Sequence, residues 1–144
     1  MIESTFYVDN NSTHYKSHWG DTMDKPKIMI VDDNNLILEI TGDLFEEAGF
    51  HVVKRNSPLG TTAAVNQEKP DCILLDVNMP ALSGDKIVGL LKGKRSGGMK
   101  ILLHSDRGEE ELQRLAMETG ADGFVKKSGD KGVLVAKVRA AIAG

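Results

Sequence analysis

The sequence predicts an α/β protein built on a doubly wound, five-stranded parallel sheet. From Lys27 onward, short apolar runs alternate with amphipathic stretches. Continuous apolar runs are typical of strands that are buried on both faces. Strands that alternate with helices require crossovers that cover both sides of a parallel sheet. The predicted strands span 27–31, 51–54, 71–75 and 100–104, with a fifth inside 122–126.

Five helices are predicted between and after these strands, over 34–48, 58–67, 84–94 and 108–119, with a last helix after Asp130. Asp33 or Asn34 can cap the first helix, and Pro58 suits the first turn of the second. Gly49 and Gly120 are suited to end helices. The positions expected to face inward in the first and last helices are Ile37, Ile40, Leu44, Phe45 and Ala48, and Val133, Leu134, Val138, Ala141 and Ile142.

Composition describes an ordinary globular chain of 144 residues with 40% hydrophobic and 27% charged residues. A net charge of -3 gives no electrostatic reason to expect a nucleic acid or an anionic membrane as a partner. A lone cysteine, Cys72, fits a reducing compartment, so we expect a cytoplasmic protein. Residues 1–24 are polar and aperiodic and are predicted to be a flexible tail, whereas 25–144 form the folded domain.

Polar side chains that could take part in chemistry stand at the ends of three predicted strands, and two lysines begin the loop after the fifth. They are Asp32 and Asp33 after the first strand, Asp76 after the third, Ser105 after the fourth, and Lys126 and Lys127 after the fifth. Each alone is more often a turn, cap or surface residue. Together they fall at the carboxyl edge of one sheet, where doubly wound proteins bind ligands. Carboxylates crowded there repel one another, and a divalent cation such as Mg²⁺ relieves that repulsion.

Four segments, MIVDDN, LLDVNMPALSG, ILLHS and GADGFVKK, resemble the signature segments of receiver domains from two-component signalling. The resemblance extends over about residues 26–143. It implies a flavodoxin-like (βα)₅ fold with strand order 2-1-3-4-5. It also implies a stand-alone phosphorylation switch rather than a turnover enzyme. Such a switch catalyses only its own phosphorylation and dephosphorylation. The phosphoryl donor would be a sensor histidine kinase or a phosphotransfer protein.

The resemblance assigns a role to each residue of the predicted site. Asp76 matches the phosphoacceptor, Asp33 the direct Mg²⁺ ligand, and Asp32 its companion that acts through water. The backbone carbonyl of Asn78 matches the third protein ligand of the metal. Met79, Pro80 and Gly84 match the loop after the acceptor.

The remaining roles concern the response to phosphorylation. Ser105 matches the hydroxyl that follows the phosphoryl group, and Phe124 the aromatic switch residue. In the family, the conserved lysine lies three residues after the switch aromatic, which selects Lys127 over Lys126. Strand alternation also allows only one of these two lysines to face the site. The surface formed by the fourth helix, fifth strand and fifth helix would then change and regulate an unknown partner protein. The chain is expected to be a monomer or weak dimer.

Two positions depart from the family pattern. Ser128 stands where proline usually follows the lysine, so the usual cis-proline turn is not expected here. Asp106 stands where a small residue usually follows Ser105. It either obstructs the rim of the site with bulk and negative charge, or turns outward to cap the next helix.

Two other classes compete with the switch. A haloacid-dehalogenase-type phosphatase also forms an aspartyl phosphate, but it requires a second aspartate where this chain has Asn78. The alternative is a degenerate receiver that acts as an unphosphorylated protein-binding adaptor. The presence of every acidic site residue argues against it, whereas the unusual Asp106 beside Ser105 favours it.

Overall fold

The structure is a computed structural model that describes residues 25–79 and 98–144. The predicted tail over 1–24 and the predicted helix over 84–94 lie outside the described residues, as do Pro80 and Gly84. The described strands are β1 Lys27–Val31, β2 His51–Arg55, β3 Cys72–Asp76, β4 Lys100–Ser105 and β5 Gly123–Lys126. The described helices are α1 Asn35–Glu47, α2 Thr61–Glu68, α3 Glu109–Thr119 and α4 Lys131–Ala143. Helices α3 and α4 are thus the fourth and fifth predicted helices.

All strand pairs of the sheet are parallel, and the strand order is β2-β1-β3-β4-β5, as predicted. Side chains of a strand alternate between the two faces of the sheet, so each strand contributes to two cores. One core joins Ile28, Ile30 and Leu74 to α1 and α4. The other joins Met29 and Ile73 to α2 and α3. The sheet is therefore covered on both faces, which confirms the doubly wound architecture.

The buried stripe of α1 differs from the predicted one. Its buried residues are Leu38, Thr41, Gly42 and Phe45, which follow the i, i+3, i+4, i+7 spacing of a helix face. Ile40 lies at the margin of this stripe and is 39% exposed, so its predicted inward position is wrong. Asn34 caps the helix, since its Oδ1 accepts hydrogen bonds from the backbone N–H groups of residues 36 and 37.

Two other local predictions are wrong, and one is confirmed. Val133, expected inside, is 49% exposed at the start of α4. Pro58 does not lie in the first turn of α2, which begins at Thr61. The Pro58 carbonyl instead accepts hydrogen bonds from the backbone N–H and the hydroxyl of Thr61. Gly120 ends α3 with φ 82°, a left-handed conformation that favours glycine.

No helix of the described residues is long and apolar enough to cross a membrane.

The register of the strands aligns the predicted site at one edge. Val31 pairs with Leu75, so the residues that follow on β1 and β3, Asp32 and Asp76, lie side by side. Asp76 pairs with His104 on β4, and Ser105 pairs with Lys126 on β5. The edge between β1 and β3 is also where the strand order changes direction, the usual ligand site of such sheets.

Candidate functional site

A cluster of carboxylates occupies the carboxyl edge of β1 and β3. Asp32, Asp33 and Asp76 each offer an oxygen, and these oxygens all lie within 4.8 Å of one another. Asp32 is 1% and Asp76 3% exposed, whereas Asp33 is exposed. Both buried carboxylates are oriented by the backbone, because Oδ1 of each accepts the N–H of the residue two positions later at 2.9 Å. The sequence prediction that these side chains converge therefore matches the observed geometry.

Lys127 lies at the centre of this negative charge. Its Nζ is 2.8 Å from Asp32 Oδ2 and 3.4 Å from Asp76 Oδ2. Burial alone would lower the pKa of Lys127, but the hydrogen bonds and charges of Asp32 and Asp76 outweigh it and raise that pKa above 10.5. Lys127 is therefore a cation at neutral pH. Lys126, by contrast, forms no ion pair with any residue that the structure describes.

Asp76 is held in an environment that disfavours its charge. Burial raises the pKa of Asp76 most, and the neighbouring charge of Asp32 adds to this effect. The hydrogen bond from the Asn78 backbone and the charge of Lys127 act in the opposite direction, but the net pKa lies above the ordinary 3.8. A buried carboxylate with surplus negative neighbours gains from binding a cation or from losing its charge in a covalent bond.

The donor set fits a magnesium ion. Every candidate ligand atom is an oxygen. Mg²⁺ and Ca²⁺ prefer oxygen ligands, whereas many transition metals favour nitrogen or sulfur. Asp32 Oδ2 is buried, and its polar contact among the described residues is the ion pair with Lys127 Nζ at 2.8 Å. A carboxylate oxygen has two lone pairs, so one contact leaves it able to coordinate a cation as well. Asp32, Asp33, Asp76 and the Asn78 backbone carbonyl are the residues that could hold the ion.

Sequence reasoning missed Arg107 on the rim of the site. Ser105 is fully buried, and its Oγ accepts hydrogen bonds from Asn78 Nδ2 at 3.2 Å and from the Arg107 backbone N–H at 3.1 Å. The Arg107 guanidinium donates through Nε to Asn78 Oδ1 at 2.9 Å. It also forms an ion pair with Glu111 at 3.4 Å. No motif pointed to Arg107, because its role depends on a residue 29 positions earlier in the chain.

The other predicted positions surround this centre. Phe124 lies on β5 beside Leu103 and is half-buried against the core that joins the sheet to α2 and α3. Asp106 is exposed and does not cap α3, because that helix has Gly108 at its N-cap and no side-chain cap hydrogen bond. The capping interpretation of Asp106 is therefore wrong, and its obstruction of the rim stays a prediction. The described residues, which include Ser128, contain no cis peptide bond.

His104 lies one residue before Ser105 and faces the other side of the sheet. It is 4% exposed and lines a cavity of about 180 Å³ together with Ile37, Leu44 and Leu134. Burial, aided by the positive charge of Lys127, lowers the pKa of His104 from 6.5 to about 4. The imidazole is therefore neutral in the folded chain at neutral pH.

We expect this buried histidine to make stability depend on pH between about 6.5 and about 4. The folded pKa lies below the unfolded one, so the unfolded chain takes up a proton first as the pH falls, and stability is lost. The lowering from 6.5 to about 4 corresponds to about 3 kcal/mol at most. The free energy of unfolding, measured with urea across this pH range and without divalent cations, checks this. His104→Leu should make that free energy depend less steeply on pH. His51→Leu, at an exposed histidine on β2, is the matched control, and an equal flattening there would contradict the assignment.

Comparison with known proteins identifies the family. The family model for the response regulator receiver domain matches residues 28–139. The chain is 30% identical over 119 residues to the transcriptional regulatory protein CseB of Streptomyces coelicolor, covering 83% of this chain and 50% of that protein. It is 32% identical over 115 residues to the phosphate regulon transcriptional regulatory protein PhoB of Klebsiella pneumoniae, covering 79% and 50%. The chain thus spans about half the length of these curated relatives.

Solved structures show the same fold. The chemotaxis response regulator CheY4 of Vibrio cholerae superposes with a TM-score of 0.72 at 22% identity, covering 81% of this chain and 98% of that one. A LuxR-family two-component response regulator from Aurantimonas superposes with a TM-score of 0.76 at 27% identity, covering 83% and 86%. With the family match over most of its length, the chain belongs to the response regulator receiver domains, the regulatory phosphoacceptor family of two-component signalling.

Proposed function

We propose that this chain is a phosphorylation switch in which Asp76 accepts a phosphoryl group from a histidine kinase or a phosphotransfer protein. The observation that carries the proposal is the placement of Lys127 Nζ between the buried carboxylates of Asp32 and Asp76. This arrangement leaves Asp76 as a carboxylate nucleophile with a fixed cation beside it.

The chemistry follows from these groups. A carboxylate oxygen of Asp76 attacks the phosphorus of the donor in line, and the bond from phosphorus to the leaving atom breaks with its electron pair. The product is an acyl phosphate. Lys127 donates to a phosphoryl oxygen, and Ser105 turns its hydroxyl proton toward another. Mg²⁺ held by Asp32, Asp33, Asp76 and the Asn78 carbonyl would neutralise further charge on the phosphoryl group.

The output of the switch is proposed to be a changed surface on α3, β5 and α4. Movement of Ser105 toward the phosphoryl group leaves space that Phe124 fills, and this shifts the population between two states. Met117 on α3 and Val133 on α4 are 77% and 49% exposed, so this surface presents apolar side chains to a partner. We propose a cytoplasmic protein partner there.

Acetyl phosphate labelling tests the proposal. With Mg²⁺, we expect intact-mass spectrometry to find one added phosphoryl group per chain. With EDTA, we expect none, because the three carboxylates then repel an anionic donor. Absence of labelling under both conditions, with beryllofluoride also unbound, would favour the unphosphorylated adaptor instead.

A further inference from the structure

A chain of hydrogen bonds crosses the rim of the site and links three separate parts of the fold. It runs from Glu111 on α3 through Arg107 to Asn78 after β3, and from Asn78 to Ser105 at the end of β4. The Arg107 side chain is 37% exposed, whereas Ser105 is fully buried. The rim contact therefore joins a solvent-accessible guanidinium to a buried hydroxyl at the end of β4.

Arg107 fixes the orientation of the Asn78 amide. A guanidinium can only donate hydrogen bonds, so it requires the amide oxygen of Asn78 and leaves the Nδ2 hydrogens for Ser105. The Arg107 backbone N–H occupies the second acceptor position of the same Ser105 hydroxyl. Both lone pairs of Oγ are thereby used, and the side chain is held from two sides.

We propose that Arg107 and Asn78 form a latch that holds Ser105 in the unphosphorylated arrangement and restrains activation. The proposal rests on the proposed function, in which Ser105 moves toward a phosphoryl group on Asp76. That movement breaks the contact between Asn78 Nδ2 and Ser105 Oγ. Arg107 is thus a positioning residue, which acts on Ser105 through Asn78.

The alternative role of Arg107 is electrostatic attraction of the anionic donor. Glu111 lies 3.4 Å from the guanidinium and offsets part of its charge, which weakens such attraction. The two roles predict opposite results. Loss of a latch makes the activated state easier to reach, whereas loss of an attractive cation weakens binding of an anion.

Beryllofluoride, with Mg²⁺ present, is the probe, and its apparent affinity for the full chain is followed by ¹H–¹⁵N chemical shifts. Arg107→Ala should raise that affinity by about threefold to tenfold, the range expected for one or two modest hydrogen bonds. Glu111→Gln should act in the same direction but less. Arg114→Ala removes the same charge from an exposed position on α3 and should leave the affinity unchanged.

A double-mutant cycle tests the route through Asn78. In an Asn78→Ala background, Arg107→Ala should have no further effect, since the latch is already open. Additive effects, or a weaker affinity in Arg107→Ala, would overturn the latch.

Amide exchange in the metal-free protein provides a readout that does not depend on phosphorylation. The backbone N–H of residue 107 donates to Ser105 Oγ and should exchange faster in Asn78→Ala than in the wild type. An unchanged rate contradicts the latch. A wild-type chain that binds no beryllofluoride contradicts the proposed function, while the exchange rate still decides whether Ser105 is restrained.

Discussion

Asp76→Asn should abolish labelling by acetyl phosphate. The amide that replaces the carboxylate has the same shape but is not a nucleophile toward phosphorus, so no acyl phosphate can form. In the ranges 25–79 and 98–144, the ion pairs away from this edge have side chains at least 32% exposed, unlike the pair of Asp76 Oδ2 with Lys127 at 3.4 Å, so those carboxylates should not substitute. The measurement is the added mass per chain after incubation with acetyl phosphate and Mg²⁺.

The stability of this variant separates lost chemistry from lost folding. The pKa of Asp76 is raised, chiefly by burial, so its ionised form costs free energy in the folded state at neutral pH. Removing that charge should leave the melting temperature unchanged or higher. Asp43→Asn, at an exposed position on α1, is the matched control and should be labelled like the wild type. Undiminished labelling of Asp76→Asn would mean that the acceptor lies elsewhere.

Lys127→Ala should slow phosphorylation by acetyl phosphate by about 10²- to 10³-fold, the usual effect of removing one donor to developing oxyanion charge. Its Nζ already lies between the carboxylates of Asp32 and Asp76, where a transferred phosphoryl group would be. The variant should also be less stable without Mg²⁺, because two buried carboxylates then lack a cation. Rates are therefore compared below the melting temperature of each variant.

Lys126→Ala is the matched control for Lys127→Ala. Lys126 is the last residue of β5 and pairs with Ser105, without an ion pair to any residue in the described ranges. Lys126 is partly buried, but because it forms no ion pair with the described carboxylates we expect the phosphorylation rate of Lys126→Ala to change by less than about twofold. If Lys126→Ala gave the large loss instead, the spacing from Phe124 would have selected the wrong lysine.

The sheet and its edge could be predicted because buried strands appear in the sequence as short runs of apolar residues. Runs such as Cys72–Leu75 are apolar at every position, which is typical of a strand covered on both faces. The strand ends then follow, and with them the proximity of Asp32 and Asp76. The strand order came from the resemblance to receiver domains, since alternation alone leaves several orders open.

Helix faces and rim contacts were less predictable. Ile40 and Val133 are apolar enough for the core, but the angular position of each helix on the sheet leaves them at its margin. The link between Arg107 and Asn78 depends on where two loops meet, which no local pattern specifies. The same holds for Asp106, whose capping role was plausible from spacing but is absent from α3.

The rim contacts between Asn78, Arg107 and Glu111 belong to neither hydrophobic core. Substitutions in a core such as that around Phe45 cost about 3–5 kcal/mol, whereas those at exposed surface positions are usually within about 0.5 kcal/mol. Mutations can therefore accumulate on the rim while the sheet stays intact. If the rim acts as the proposed latch, the ease of reaching the activated state and the free energy of unfolding are set by separate groups of residues and can evolve separately.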